Sequence, residues 1–370
     1  MKVKDIAAAI EKIAPLRLAQ GWDNVGLLIG SPRQDVKRIL LTIDVTGPVV
    51  AEAKRLRTDL IVSYHPVIWD ALKKVPADGP ASVVHNLIRA GIAVFSIHTA
   101  LDAVAGGVND GLAEIVGITD ATPIGDFVET TLSDMYKLVV FVPISAVAKV
   151  SDAVFAAGAG AIGNYSSCSF YTQGTGTFLP LEGAKPAIGK KGRLEKTPEV
   201  RFETIVPAER LDDCIAAMKK AHPYEMPAFD CIKLYNPQAK FGLGRIGKLA
   251  QPSRIEQIIR KLKRHTGAQA VGIIGDAKKS VKTAAVCAGS CGDIINSVIA
   301  AKTDLYVTGE LKHHQALAAK EAGLTCICLS HTVSERFMLK NLARQLQKQL
   351  KQVTIRVSKK DAEPFRWKNV

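Results

Sequence analysis

Three short segments carry the residues best able to do chemistry. They are Ile61-Val62-Ser63-Tyr64-His65-Pro66, Val94-Phe95-Ser96-Ile97-His98-Thr99-Ala100-Leu101-Asp102, and Ile327-Cys328-Leu329-Ser330-His331-Thr332-Val333-Ser334-Glu335. Each begins as an apolar strand and ends on histidine, so three of the eight histidines stand at strand exits. Neutral imidazoles with carboxylates make a hard-to-borderline donor set, suited to Zn, Mn, Fe, Co or Ni rather than to a thiolate site. Two carboxylates among three histidines can also bridge a pair of divalent ions that hold a hydroxide between them. The signal is the set, because each member has a plain structural alternative. Glu335 follows Thr332 by three residues, the spacing of a helix capping box. Asp102 can cap a turn before Gly106-Gly107, and His65 before Pro66 can simply end a strand.

Other candidates are weaker. His313-His314 follow Thr308-Gly309-Glu310-Leu311-Lys312 and can line the same rim or cap a helix. Gly289-Ser290-Cys291-Gly292 leads from a strand into a helix whose first amides could hold a phosphate. Cys287 with Cys291 and Cys326 with Cys328 lack the spacing of zinc ribbons and read as buried free thiols. There is no Walker A sequence, no GxSxG elbow and no strand-linked GxGxxG.

The elements that must position these residues alternate. Arg38–Asp44, Asp59–Ser63 and Ile92–Ile97 read as strands, and Val49–Arg57 and Ala81–Ala90 as helices, with a further helix expected after Gly107. The rhythm returns late: strands over Thr283–Cys287, Asp304–Val307 and Leu324–Leu329, helices over Ile294–Ala301, His313–Ala322 and Ser334–Lys348. Strands separated by helices of this length pair in parallel through right-handed crossovers. Ligands of open α/β sheets bind outside the carboxyl ends of such strands. Between the two stretches, strands over Tyr136–Val142, Glu199–Val206 and Phe229–Leu234 and helices over Ala146–Ala157 and Ala208–Ala221 fit a small ferredoxin-like α+β unit. The expected architecture is an α/β core made of both chain ends (1–132 and 238–370), interrupted by an inserted α+β domain (133–237).

Composition bounds the rest. The 370 residues allow two or three domains, and no run nears the ~18 apolar residues of a membrane span. The start leads into an amphipathic stretch rather than a secretory signal, so no membrane association is expected. Seven thinly spread cysteines suit a reducing cytoplasm better than a disulfide framework. Residues 1–134 carry 13 basic and 16 acidic side chains, a net of −3, whereas 135–370 carry 36 and 19, a net of +17. This field would attract nucleic acid or phosphorylated metabolites. Arg260-Lys261-Leu262-Lys263-Arg264 reads equally well as the solvated face of an amphipathic helix, and no nucleic-acid-binding motif accompanies the charge.

At the three segments the chain resembles the NIF-three-like dinuclear metal-centre proteins, often labelled GTP cyclohydrolase 1 type 2 homologues. The likeness rests on Gly21-Trp22-Asp23-Asn24-Val25-Gly26-Leu27-Leu28, on His98–Asp102 with Gly106-Gly107-Val108-Asn109-Asp110, on Thr308-Gly309-Glu310 with His313-His314, and on His331 with Glu335. The middle segment resembles the CutA/PII-like insert of the family's longer members through Gly158–Ser166 and His222-Pro223-Tyr224-Glu225, with His222 structural. The resemblance implies a toroidal homohexamer with two divalent metals per subunit, ligated by His65, Asp102, His331 and a bridging Glu335, with His98 at or beside the site. One departure stands out: Tyr64-His65 occupies a place where the family often has two adjacent histidines, and a phenol is a poorer neutral ligand.

Two functions follow as expectations. The first is a metal-dependent hydrolase acting on an anionic, nucleotide-like substrate, with His98 or a nearby residue shuttling protons. The second is a regulatory module, a toroid that binds nucleic acid or protein while its metals stabilise assembly.

Overall fold

The computed structural model describes residues 1–128, 135–162, 165–234 and 241–365. The chain forms two compact units, one from Met1–Glu129 with Lys240–Val370 and one from Thr130–Ala239. The expected domain boundaries at 132/133 and 237/238 lie outside the described residues.

The first unit holds two sheets. In one, the strands run in the order Gly26–Ile29, Ala93–Ser96, Leu60–Ser63, Arg38–Thr42 and Thr354–Val357. Only the Gly26–Ile29 edge is antiparallel. In the other, the order is Gly272–Ile274, Thr325–Cys328, Leu305–Thr308, Ser280–Cys287, Phe241–Arg254 and Ile118–Val128. Its three parallel strands are Ser280–Cys287, Leu305–Thr308 and Thr325–Cys328.

Parallel strands covered on both faces read as unbroken apolar runs. Leu60–Ser63, Ala93–Ser96 and Leu305–Thr308 are accordingly buried at every position. Leu41, Val62 and Phe95 of one sheet share a core with Val286, Val307 and Ile327 of the other. Each fully buried aliphatic side chain in such a core contributes roughly 1.5–3 kcal/mol relative to exposure. The outer face of the first sheet is covered by the helices Gly47–Arg55 and Ser82–Ala90 through Val49, Val50, Ala53, Val84 and Leu87. The helix expected after Gly107 is Val108–Val116, and it stops at Gly117, whose φ of 95° is the left-handed turn that glycine adopts without a Cβ clash.

Several elements differ from expectation. The helix expected over 334–348 is two helices, Val333–Arg336 and Leu339–Gln349. The break falls where Phe337 and Met338 pack so tightly over Gly111 that a Cβ there would lie 2.8 Å from Met338 Sδ and 3.0 Å from a Phe337 ring carbon. Both residues keep right-handed helical dihedrals across the boundary. The stretch between the two middle helices also contributes a strand, Ser169–Phe178.

The second unit runs strand Met135–Pro143, helix Val147–Ala156, strands Ser169–Phe178 and Glu195–Pro207, helix Leu211–Ala221 and strand Phe229–Lys233. The antiparallel sheet places the third strand between the second and the first, with the fourth outside the first. That order is ferredoxin-like. Its core packs Leu138, Val140 and Phe202 of the sheet against Val150, Val154, Cys214 and Met218 of the two helices.

Candidate metal centre

The site is built from strand exits. In the first sheet Asp44, His65 and His98 each follow the carboxyl end of one of three adjacent parallel strands. In the second, Gly289, Glu310 and His331 do the same. The two sets meet. His65 Nε2 lies 3.5 Å from Glu335 Oε2, and His331 Nε2 lies 3.4 Å from Glu335 Oε1. Donor atoms of His65, His331 and Glu335 all fall within 4.8 Å of one another.

Each histidine of the set is oriented by a carboxylate at its other nitrogen. Asp44 Oδ1 is 2.9 Å from His65 Nδ1, Asp23 Oδ1 is 2.9 Å from His98 Nδ1, and Glu310 Oε1 is 2.9 Å from His331 Nδ1. A carboxylate at Nδ1 holds the proton there and leaves Nε2 as the free lone pair, the arrangement found behind metal-binding imidazoles. Asp23 is itself fixed by the Thr99 amide at 3.0 Å and the Thr99 hydroxyl at 2.5 Å. Burial raises the Asp23 and Asp44 pKa values, yet the bonds from His98 and His65 respectively outweigh it and leave both carboxyls below their ordinary value.

Two members of the triad are deeply buried and His331 is half-buried. Glu335 is 3% exposed and His65 7%. Among the described residues, His65 Nε2 and Glu335 Oε2 are buried without a hydrogen-bond partner. Burial alone would lower the His65 pKa, but Asp44 and Glu335 push it up to about 10, so without a cation the ring holds a second proton on Nε2, facing Glu335, that a metal would displace. Two buried donor atoms facing each other at 3.5 Å, unsatisfied by the protein, are what a cation would satisfy. The donor set fits a divalent metal.

Asp102 stands slightly apart. It does not join the close triad, and its Oδ1 instead accepts the hydroxyl of Tyr64. Burial raises the Asp102 pKa to about 6 despite the opposing field of His98. Burial, together with Asp102 and Glu335, raises the Tyr64 pKa well above its ordinary value, so Tyr64 is a neutral donor. His98 sits beside the cluster, its ring 5.1 Å from that of His65 and 5.6 Å from that of Tyr64. The exposed rings of Trp22 and Trp69 lean on it at 5.9 and 5.4 Å.

The remaining sequence candidates have structural duties. Thr332 makes no capping bond to the helix of Glu335; its hydroxyl donates to Glu363 at 2.6 Å. His313 and His314 open the His313–Glu321 helix and are exposed. His222 Nε2 bonds the Phe141 carbonyl at 3.1 Å. The four cysteines from 287 to 328 are free thiols, Cys287 and Cys326 buried. Gly289 is the floor of the site, held by the Ser334 hydroxyl at 2.8 Å, and a Cβ on it would lie 2.6 Å from Glu335 Oε1. Asp23, Asp44 and Glu310 were not assigned to the site from sequence. Asp44 carried a usable signal, since it ends its strand as His65 and His98 end theirs.

Asn109 explains part of the Gly106–Asp110 motif. Its buried side chain donates to the carbonyls of Asp102 and Leu243 and accepts the Ala288 amide at 2.8 Å, tying Asp102 to the second sheet. Asp110 pairs with the buried Arg245, whose Nε lies 2.7 Å from Oδ1.

A profile of the Duf34/NIF3 (NGG1p interacting factor 3) family matches residues 1–364. The chain belongs to this family. A protein of Halalkalibacterium halodurans named GTP cyclohydrolase 1 type 2 homolog is 36% identical over 342 residues, covering 92% of this chain and 91% of the relative. A Bacillus subtilis protein of the same name is 36% identical over 367 residues, 98% and 97% of the two chains. Among solved structures, a Bacillus cereus protein related to NIF3 superposes with a TM-score of 0.84 at 34% identity, over 99% of each chain. As a Duf34/NIF3 member the chain has the mixed α/β fold expected of it, and among its described residues no helix is long and apolar enough to cross a membrane.

Proposed function

We propose that the protein is a metal-dependent hydrolase acting on an anionic, nucleotide-like substrate at the His65–His331–Glu335 cluster. The observation that carries the reading is the pair of buried, unpartnered donor atoms, His65 Nε2 and Glu335 Oε2, at the meeting point of two sets of strand exits. Glu335 offers one oxygen towards each histidine, which suits the bridging role that a two-ion centre requires, and Asp102 would complete the ligand set. Bound divalent ions would supply Lewis acidity, polarising the substrate and lowering the pKa of water.

The chain's own groups define the rest. Asp44 and Glu310 hold the His65 and His331 rings in position. His98, with Nδ1 fixed on Asp23, presents Nε2 as the group that accepts and returns a proton. Tyr64 holds Asp102. The exposed Trp22 and Trp69 rings offer flat apolar surfaces on which a planar base can stack. The basic excess of the chain favours an anion. The names of the Halalkalibacterium and Bacillus relatives favour a nucleotide but specify no reaction here. The toroidal homohexamer, the cytoplasmic setting and the CutA/PII-like nature of the inserted unit belong to the same proposal; the ferredoxin-like strand order supports the last.

The test is elemental analysis of untagged protein beside Glu335→Ala, followed by assay of the metal-loaded protein on GTP, other nucleotides and phosphoesters. Near two ions per subunit, lost in the variant, with turnover on at least one substrate, is the expected result. Metal without any turnover leaves a regulatory toroid with structural ions as the function, and absence of metal in both proteins removes the centre.

A further inference from the structure

The inserted unit contains a cavity of about 450 Å³, within the size range of small-molecule sites. Its walls are mostly apolar, with Phe141, Phe178, Leu179 and Met226 among them. Glu199 also lines it and is only 8% exposed. One oxygen of that carboxylate, Oε1, accepts the Tyr224 hydroxyl at 2.9 Å. The other, Oε2, has no hydrogen-bond partner among the described residues and lies over Gly176, where a Cβ would collide with it. Solvent still reaches Oε2, so a ligand N–H can take the place of water there. The other charged residues of the lining are Glu225, which accepts the Lys185 amide at 3.1 Å, and Lys185 itself, which is exposed. Two carboxylates thus face the cavity against one ammonium.

We propose that this cavity is a binding site for a small organic cation with a planar apolar body, such as an amidinium or aryl ammonium, whose N–H groups pair with Glu199 Oε2. An anion would meet the buried carboxylate. A neutral ligand would displace water from Oε2 without bringing a charge to replace it. A cation satisfies the free oxygen while its apolar body buries against Phe141, Phe178, Leu179 and Met226. Burial and the Glu199 carboxylate push the Tyr224 pKa up to about 12, so the phenol stays a donor to Oε1 at neutral pH and leaves Oε2 for the ligand.

The probes are benzamidinium, its neutral near-isostere benzamide, and benzoate, titrated into the full chain by calorimetry and ligand-observed NMR. Benzamidinium is expected to bind saturably and at least tenfold more tightly than benzamide, with no detectable binding of benzoate. Glu199→Gln, which keeps shape and removes charge, should weaken benzamidinium at least tenfold with unchanged circular dichroism and Tm. Ala184→Trp, on the half-buried cavity wall and outside the core, should abolish binding of every probe. The proposal is overturned if wild type ignores benzamidinium, if benzamide or benzoate matches it, or if Ala184→Trp binds normally. It is overturned equally if Ala184→Trp lowers the molar mass by light scattering while wild type ignores benzamidinium, since a second copy of the chain then fills the cavity.

Discussion

The Tyr64 hydroxyl donates its hydrogen to Oδ1 of Asp102, 38 residues along the chain, and so occupies one oxygen of a fully buried carboxylate at the edge of the metal centre. Removing it leaves that oxygen unserved. Tyr64→Phe is therefore expected to cost about 1–3 kcal/mol in a denaturant titration with chelator present. Adding Mn or Zn should shrink the deficit, because Asp102 then gains a cationic partner. An equal deficit with and without metal would place Asp102 outside the ligand set.

Gly289 is needed for its missing side chain. At φ of 73°, an alanine pays roughly 1–2 kcal/mol of backbone strain, and its Cβ would lie 2.6 Å from Glu335 Oε1. Gly289→Ala is expected to lower both Tm and metal content. Full metal content in a folded variant would show that Glu335 can move without loss of the centre.

Arg245 is 3% exposed and fully engaged, pairing with Asp110 and donating to the carbonyls of Gly242, Gly244, Ala103 and Val104. Arg245→Met takes the cationic partner from the half-buried Asp110, which keeps the Gly106 amide, and takes one donor from each of those carbonyls. A loss of roughly 3–5 kcal/mol is expected, read as a fall in denaturation midpoint. The exposed Arg210–Asp213 pair serves as the control, and its removal should leave the midpoint where it was.

Glu52 supplies the pH dependence. Burial raises its pKa, but the Ser358 hydroxyl and the amides of Lys359 and Lys360 together hold it below the ordinary 4.5. With the folded pKa depressed, its contribution to stability is complete above the unfolded value and disappears as pH falls through the folded one. Stability of the wild type should thus decline below about pH 4.5, more steeply than that of Glu52→Gln. Parallel pH profiles for the two proteins would refute the assignment.

Much of this arrangement was legible in the sequence because apolar runs such as Leu60-Ile61-Val62-Ser63 announce parallel strands, and strand exits are where such sheets bind ligands. His65, His331 and Glu335, which the structure brings together, lie in segments singled out that way. What escaped was whatever depends on long-range pairing. The strand Phe241–Arg254 contains Gly242, Gly244, Gly247 and Pro252, which hide it from any pattern of alternation, yet Gly244 and Gly247 are where neighbouring side chains and backbone approach within 3 Å of a would-be Cβ. The short helix His98–Ala103 leaves no period to read, and the boundary at Phe337 and Met338 involves no change of helical dihedral that a sequence pattern could mark. Asp23 and Glu310 act through partners 75 and 21 residues distant, a relation that residue type alone does not reveal.

The strand Thr354–Val357 closes the first sheet beside Arg38–Thr42, and Asp361 holds the amide of Ile43 across 318 residues. During synthesis at roughly 5–20 residues per second, the edge of Arg38–Thr42 therefore waits about 15–60 s for its neighbour. Throughout that interval the nascent N-terminal sheet presents an unpaired, apolar edge, and His65 has no Glu335 to face. The inserted unit needs nothing from either end for its own sheet, and can close while still near the ribosome. The metal centre can therefore assemble only after Glu335 has been made.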